Sequence, residues 1–314
     1  MSSPLSPSAS AADTSVVDAP HSHERPTTPD PMATFLAPPR GSRVSTDELL
    51  REVEEYFTLG AVVSPGDTII DVGANVGAFA LRAADLCKGD VTLLCFEPSP
   101  GTFEALRTSF AQNPILRRTR HSIHQLGVTS HDQSGRELPF YHFRRFPTNS
   151  TLDLASKRRE FEIFFEDRAR RVRESLGPVA GWPLARIISS LPKGPLGRFF
   201  SDMVMGLEEV KVKLVTLDEV IRRERIERVS LLKIDVEGHE LDVLRGLGPD
   251  SWPKIEQVVL ETHNRDGRQT EIESLLIENG LTQILVTAQK TVDNGLESNV
   301  VLARRGPARS RASS

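Results

Sequence analysis

Short apolar segments alternating with amphipathic ones predict an α/β fold: a doubly wound, mostly parallel sheet carrying a helical insertion. Two observations support this. The runs TIIDV at 68–72, VTLLCF at 91–96 and LLKID at 231–235 are short, nearly continuous in apolar character and bounded by turn residues, as strands buried on both faces require. Helical segments with capping signals lie between them, and in such sheets ligands sit at the carboxyl ends of the strands.

The elements follow in order. Ser45 and Glu48 have capping-box spacing and open a helix over 46–59, whose apolar stripe is Leu49, Leu50, Val53, Tyr56 and Phe57. The turn Ser64-Pro65-Gly66-Asp67 leads into the first strand. Helices are expected at 78–87 and 101–111 around the second strand, and 119–128 is a weaker strand. Thr216 and Glu219 cap a helix to about 226, strand 231–235 precedes a helix at 239–247, and QVVLET at 257–262 is the next strand. Thr270 and Glu273 cap a helix ending at Asn279-Gly280, and 282–286 with 299–303 close the sheet.

The chain has 314 residues, and its polar, proline-rich start sets its organisation: 8 of 21 prolines fall within the first 40 residues. Residues 1–44 read as a disordered leader, 45–304 as the folded domain and 305–314 as a disordered tail. The stretch 144–209 interrupts the alternation. It holds a charged helical region, SKRREFEIFFEDRARRVRESL, then a segment punctuated by Trp182, Pro183, Pro192, Gly194 and Pro195. Its 12 Lys/Arg against 9 Asp/Glu contrast with a net charge of −4 for the whole chain. It reads as an insertion with two alternatives: a solvated helical elaboration pinned to the body by Phe161, Phe164 and Phe165, or a lid or substrate-selecting cap, with a homodimer surface as a further use. Two cysteines, Cys87 and Cys95, exclude a disulfide framework and a four-thiolate zinc site, and the default compartment is the reducing cytoplasm. No run of about 18 apolar residues predicts a membrane span. The arginine-rich stretch 157–173 is interrupted by acids and lacks interleaved aromatics, so nucleic acid is not an expected partner.

The chemistry concentrates at strand ends. In DVGANVG, Asp71, Gly73, Asn75 and Gly77 occupy strand end, tight turn and helix start, where glycine permits close backbone approach and exposed amides attract an anionic group. Asn75 stands where a dinucleotide fingerprint has its second glycine, which disfavours a nicotinamide-dependent oxidoreductase. Glu97 ends the second strand 26 residues after Asp71, the place for an acid that accepts both hydroxyls of a ribose.

With FEPSP and, later, LLKIDVEGHELDVLRG and VVLETH, this motif resembles the FkbM-type class I S-adenosylmethionine-dependent methyltransferases over roughly Thr68 to Ala303. The resemblance implies a Rossmann-like fold with S-adenosylmethionine as co-substrate. It places the methionine part of the cofactor on the turn of Asp71, Gly73, Asn75 and Gly77, and the ribose on Glu97. The region Gln125 to Thr129 should border adenine, with no acid there to assign.

Two neighbouring strands end in acids. Asp235 with Glu237, and Glu261 with His263, are spaced two apart, which puts each pair on one side of its strand if the extended backbone continues; His239 follows at a helix start. A hydroxyl acceptor needs a base, and His239 or His263 suits that role, oriented by Glu237 or Glu261; a carboxylate is an alternative base. Asp235 has a second reading, positioning the cofactor's amino group. Asp235, Glu237 and Glu261 also offer oxygen ligands of the kind Mg²⁺ takes, but their spacing fixes no coordination geometry, and a metal is not expected. No Asn-Pro-Pro-Tyr-type motif of amide-nitrogen methyltransferases is present, which favours oxygen. The expected activity is O-methylation of a small hydroxylated acceptor, a secondary metabolite of polyketide or macrolide type or a sugar. A non-catalytic nucleoside-binding module or scaffold is the alternative.

Overall fold

In the computed structural model, residues 36, 42–43, 45–190, 202–203, 205–263, 267–289 and 298–306 are described. Helix α1 (Thr46–Leu59) begins where the capping box places it, with the Ser45 hydroxyl accepting from the Glu48 amide. Strand β1 (Asp67–Val72), helix α2 (Ala78–Leu86), strand β2 (Val91–Phe96), helix α3 (Pro100–Gln112) and strand β3 (Arg120–His124) follow. Then come β4 (Gly127–Val128), β5 (Glu137–Phe143), α4 (Leu154–Ser190), β6 (Leu207–Val215), α5 (Leu217–Arg223), β7 (Leu231–Ile234) and α6 (Glu240–Arg245). The chain closes with β8 (Gln257–His263), α7 (Arg268–Glu278), β9 (Gln283–Gln289) and β10 (Ser298–Arg304).

The main sheet has the order β3-β2-β1-β7-β8-β10-β9. Pairing is parallel from β3 through β8, and β10 is antiparallel to both its neighbours. Strand alternation divides the core into two layers. Ile69, Leu231, Val259 and Val300 pack with α1, α2 and α3, while Ile70, Leu232, Val258 and Val301 pack with α5, α6 and α7. Both faces are therefore covered, which explains why these strands are apolar at most positions instead of alternating. The order reverses at β1, whose neighbours β2 and β7 are far apart in sequence, and this creates the crevice that ligands use in doubly wound sheets.

Four local expectations change. The span 119–128 splits: β3 extends the main sheet, whereas β4 joins a second sheet of order β4-β6-β5. Helix α7 starts at Arg268 after Gly267 in the left-handed region (φ 77°), so Thr270 lies within the first turn instead of capping it. Helix α4 continues through Gly177, Pro178 and Pro183, although each proline removes a backbone donor; Pro192, Gly194 and Pro195 lie outside the described residues. Of the leader, Leu36 is buried with α1 in the core, so at that residue the disordered reading does not hold; most of 1–44 and 307–314 lie outside the described residues. Among the described residues, no helix is long and apolar enough to cross a membrane.

The insertion is the connection of a hairpin, because β5 and β6 pair antiparallel from Phe143↔Leu207 to Glu137↔Lys213. Phe161 of α4 packs edge-on against Phe143, with ring centroids 5.6 Å apart; the Phe164 side chain is outside what is described. One helical turn earlier, Lys157 is 2% exposed and its ammonium lies 2.7 Å from Glu160 and 2.6 Å from Glu237, on the turn after β7. Burial would lower Lys157, and the two carboxylates more than reverse that, holding it above its usual range. Thr151 also donates to the Glu237 carbonyl at 3.2 Å. Removing the cation should strand two carboxylates: Lys157→Met is expected to lower stability by about 3–5 kcal/mol in denaturant unfolding. Adding Glu160→Gln and Glu237→Gln should recover most of the loss, and no recovery would mean that the ion triad is not its source.

Candidate active site

A cavity of about 530 Å³ opens at the carboxyl edge of β1, β2, β7 and β8, roofed by α1 and by residues 140–160. Gly73, Asn75, Glu97, Asp235, Glu237, His239 and Glu261 all line it. The strands deliver them, because each chain segment leaves the sheet at this edge.

The glycine turn is tightly determined. Gly73 has φ 78°, and a Cβ there would lie 1.8 Å from the Asp235 carbonyl oxygen. Asn75 has φ 50°, a conformation asparagine tolerates better than most residues. The amides expected to face an anion are largely spent within the protein. Those of Gly73 and Ala74 donate to the Phe96 carbonyl, Gly77 donates to Ala74, and Asn75 donates to Glu97 Oε2 at 3.0 Å. The Ser99 amide takes the other Glu97 oxygen at 2.9 Å, so the carboxylate is aimed by backbone on both sides while each oxygen keeps a free lone pair. Burial pushes Glu97 up to about 7, against the pull of these two amides. Gly77 (φ 93°) starts α2 and sits against Leu106 instead of lining the cavity.

Asp71 is also behind the wall. It is 0% exposed, and its partner is Lys233, directly opposite it in the β1–β7 register, with Nζ 3.3 Å from Oδ1. Lys233 Nζ donates to the Gly73 carbonyl at 2.8 Å, lies 3.6 Å from Asp235 and sits 6.0 Å over the Phe79 ring. The missed signal was the residue itself, since a lysine inside LLKID has to find a charge partner when the strand is buried.

The acidic cluster forms by a different route from the one its spacing suggested. Strand β7 stops at Ile234, and Glu237 is left-handed (φ 53°), so the extended backbone does not continue through Asp235 to Glu237. Both reach the cavity because the chain turns there. Glu237 is neutralised by Lys157. His239, expected to be oriented by Glu237 or Glu261, instead pairs through Nδ1 with Asp242 Oδ2 at 3.2 Å. Its Nε2 is buried with no protein partner among the described residues. His263 ends β8 opposite Ser298, and its side chain lies outside what is described. Tyr56, which periodicity marks only as core, lines the cavity as well; burial, then Asp235, Glu261 and Glu52, push its phenol well above the usual range, so it stays a donor. Among the described residues, no three acid, histidine or cysteine side chains come together as a metal-ligand group.

Several known proteins are similar to this chain. Residues 71–280 match the model of the methyltransferase FkbM domain. The chain is 33% identical over 251 residues to the 31-O-demethyl-FK506 methyltransferase FkbM of Streptomyces tacrolimicus, covering 80% of this chain and 85% of that protein. It is 30% identical over 220 residues to the methyltransferase sdnD of Sordaria araneosa, covering 68% and 72%. Among solved structures, Aeropyrum pernix fibrillarin in complex with S-adenosyl-L-methionine matches at 13% identity and a TM-score of 0.40, over 81% of this chain and 75% of that one. The glycine turn, the acid ending β2 and the acid-rich ends of β7 and β8 all fall within the matched span, and the chain belongs to the FkbM methyltransferase family.

Proposed function

We propose that the protein transfers the methyl group of S-adenosylmethionine to a hydroxyl oxygen of a small molecule, a secondary metabolite of polyketide or macrolide type or a sugar. One observation carries this reading: a backbone-aimed acid, Glu97, and an imidazole nitrogen without a protein partner, on His239, line the same cavity. The name of the Streptomyces relative supports oxygen as the acceptor atom.

The residues present suit the cofactor. Glu97 offers lone pairs on both oxygens to a ribose diol, the Gly73 turn leaves no side chain in the way, and Asp235, held beside Lys233, lines the same cavity. When bound, S-adenosylmethionine supplies an electrophilic methyl on a sulfonium. The protein holds the acceptor close to that methyl and removes a proton, and much of the acceleration in such a displacement comes from positioning. His239 Nε2 takes the hydroxyl proton as the new C–O bond forms and the S–C bond breaks. The Glu237 carboxylate is already engaged by Lys157 at 2.6 Å. The segment 140–160 forms the acceptor wall, with Phe140, Phe146 and Leu152 as its apolar part.

Three outcomes test the reading. Glu97→Ala should abolish S-adenosylmethionine binding in calorimetry while the melting transition survives; a wild type that does not bind would refute the proposal outright. Ribose hydroxyls donate to the ionised carboxylate, so cofactor affinity should rise as pH increases through about 7, the point at which buried Glu97 ionises, and Glu97→Gln should flatten that rise. The ligand-free protein shows the opposite sign: with its pKa raised from 4.5, Glu97 makes the fold more stable as pH falls below about 7. With methyl-labelled S-adenosylmethionine and an extract of the source cells as the acceptor pool, His239→Gln should slow labelling by roughly 10²–10⁴-fold. Unchanged labelling would remove His239 as the base.

A further inference from the structure

The imidazole of His239 has two ring nitrogens in different surroundings. Nδ1 is 3.2 Å from Asp242 Oδ2, one helical turn along α6, whereas Nε2 is buried at the cavity wall with no protein partner among the described residues. The hydrogen bond to His239 is the largest influence holding Asp242 below the usual carboxylate range, with Arg245 and Arg268 acting in the same direction. An ionised carboxylate can only accept, so the proton in this contact belongs to the imidazole. We propose that Asp242 is a positioning residue that keeps the His239 proton on Nδ1, leaving the Nε2 lone pair bare toward the acceptor.

This inference rests on the reading of His239 as base and completes it. In the step, Nε2 gains the acceptor proton, and Nδ1 keeps its own against Asp242, which does not change protonation state. The Nδ1 contact with Asp242 persists through the step, so the ring stays oriented toward the acceptor. An ordinary acid in a first helical turn would interact with the helix amides equally well without selecting a tautomer.

Nitrogen NMR of the ¹⁵N-labelled full-length protein with S-adenosylmethionine bound tests this without an acceptor. The His239 resonances are identified by their loss in His239→Gln. In the wild type, Nδ1 should appear protonated and Nε2 unprotonated. In Asp242→Asn, whose amide can donate to Nδ1, the two should exchange character, and Asp242→Glu should restore the wild-type pattern. In the labelling assay, Asp242→Asn should lose about 10²-fold in rate, the lower end of what a positioned base contributes, with cofactor affinity unchanged. A wild-type spectrum with the proton on Nε2 overturns the proposal, and so does an Asp242→Asn variant with undiminished labelling. If His239→Gln labels normally, or the wild type labels nothing, the base reading fails on its own, and the spectrum still decides whether Asp242 sets the tautomer.

Discussion

The site depends on one buried charge pair. Asp71 and Lys233 face each other in the register of the two strands that flank the point where the sheet reverses, and both are almost wholly removed from water. Burial opposes the Lys233 ammonium, and Asp71 and Asp235 more than offset it. Isolated charges in such a position would cost several kcal/mol each, and the ammonium is offset by the two carboxylates near it and one hydrogen bond to a carbonyl. One of those contacts is the Gly73 carbonyl, which fixes the turn; another is Asp235, which fixes the end of β7. The two halves of the sheet are thereby joined where the cavity opens. Asp71, which reads in sequence as a ligand contact, acts from behind the wall.

The cavity's electrostatics follow the same logic. Two buried lysines are each matched with two carboxylates: Lys233 with Asp71 and Asp235, Lys157 with Glu160 and Glu237. The ammonium groups stand beside Asp235 and Glu237, two of the three acids that could have gathered round a divalent cation. The histidine in the same wall is left as the group with an open nitrogen.

Much of the architecture was legible because it is local. Strands that are apolar on both faces, the Ser45 cap and the acid closing β2 each report their own neighbourhood, and strand ends necessarily meet at one edge. What was not legible depends on partners far apart or on backbone conformation. Lys157 and Glu237 are 80 residues apart. Glu237 leaves the extended region, so counting by two could not describe it. Asp242 lies three residues from His239, a distance that looks like any helical acid until the capping histidine turns its ring back over the turn. The amides of the glycine turn seemed available, yet most are consumed by Phe96, Ala74 and Glu97.

The placement of the insertion has a consequence for how such enzymes diversify. Its two ends leave adjacent positions of an antiparallel ladder, Phe143 and Leu207, about 5 Å apart in any such pairing. The length of chain between them can change at little cost to the ladder, and the part that changes borders the cavity opposite the strand ends. The freedom is not complete, because Thr151 and Lys157 tether the first part of the insertion to the turn after β7. A graft that respects this boundary would exchange the segment beyond Glu160 and leave the tether on the turn after β7 in place.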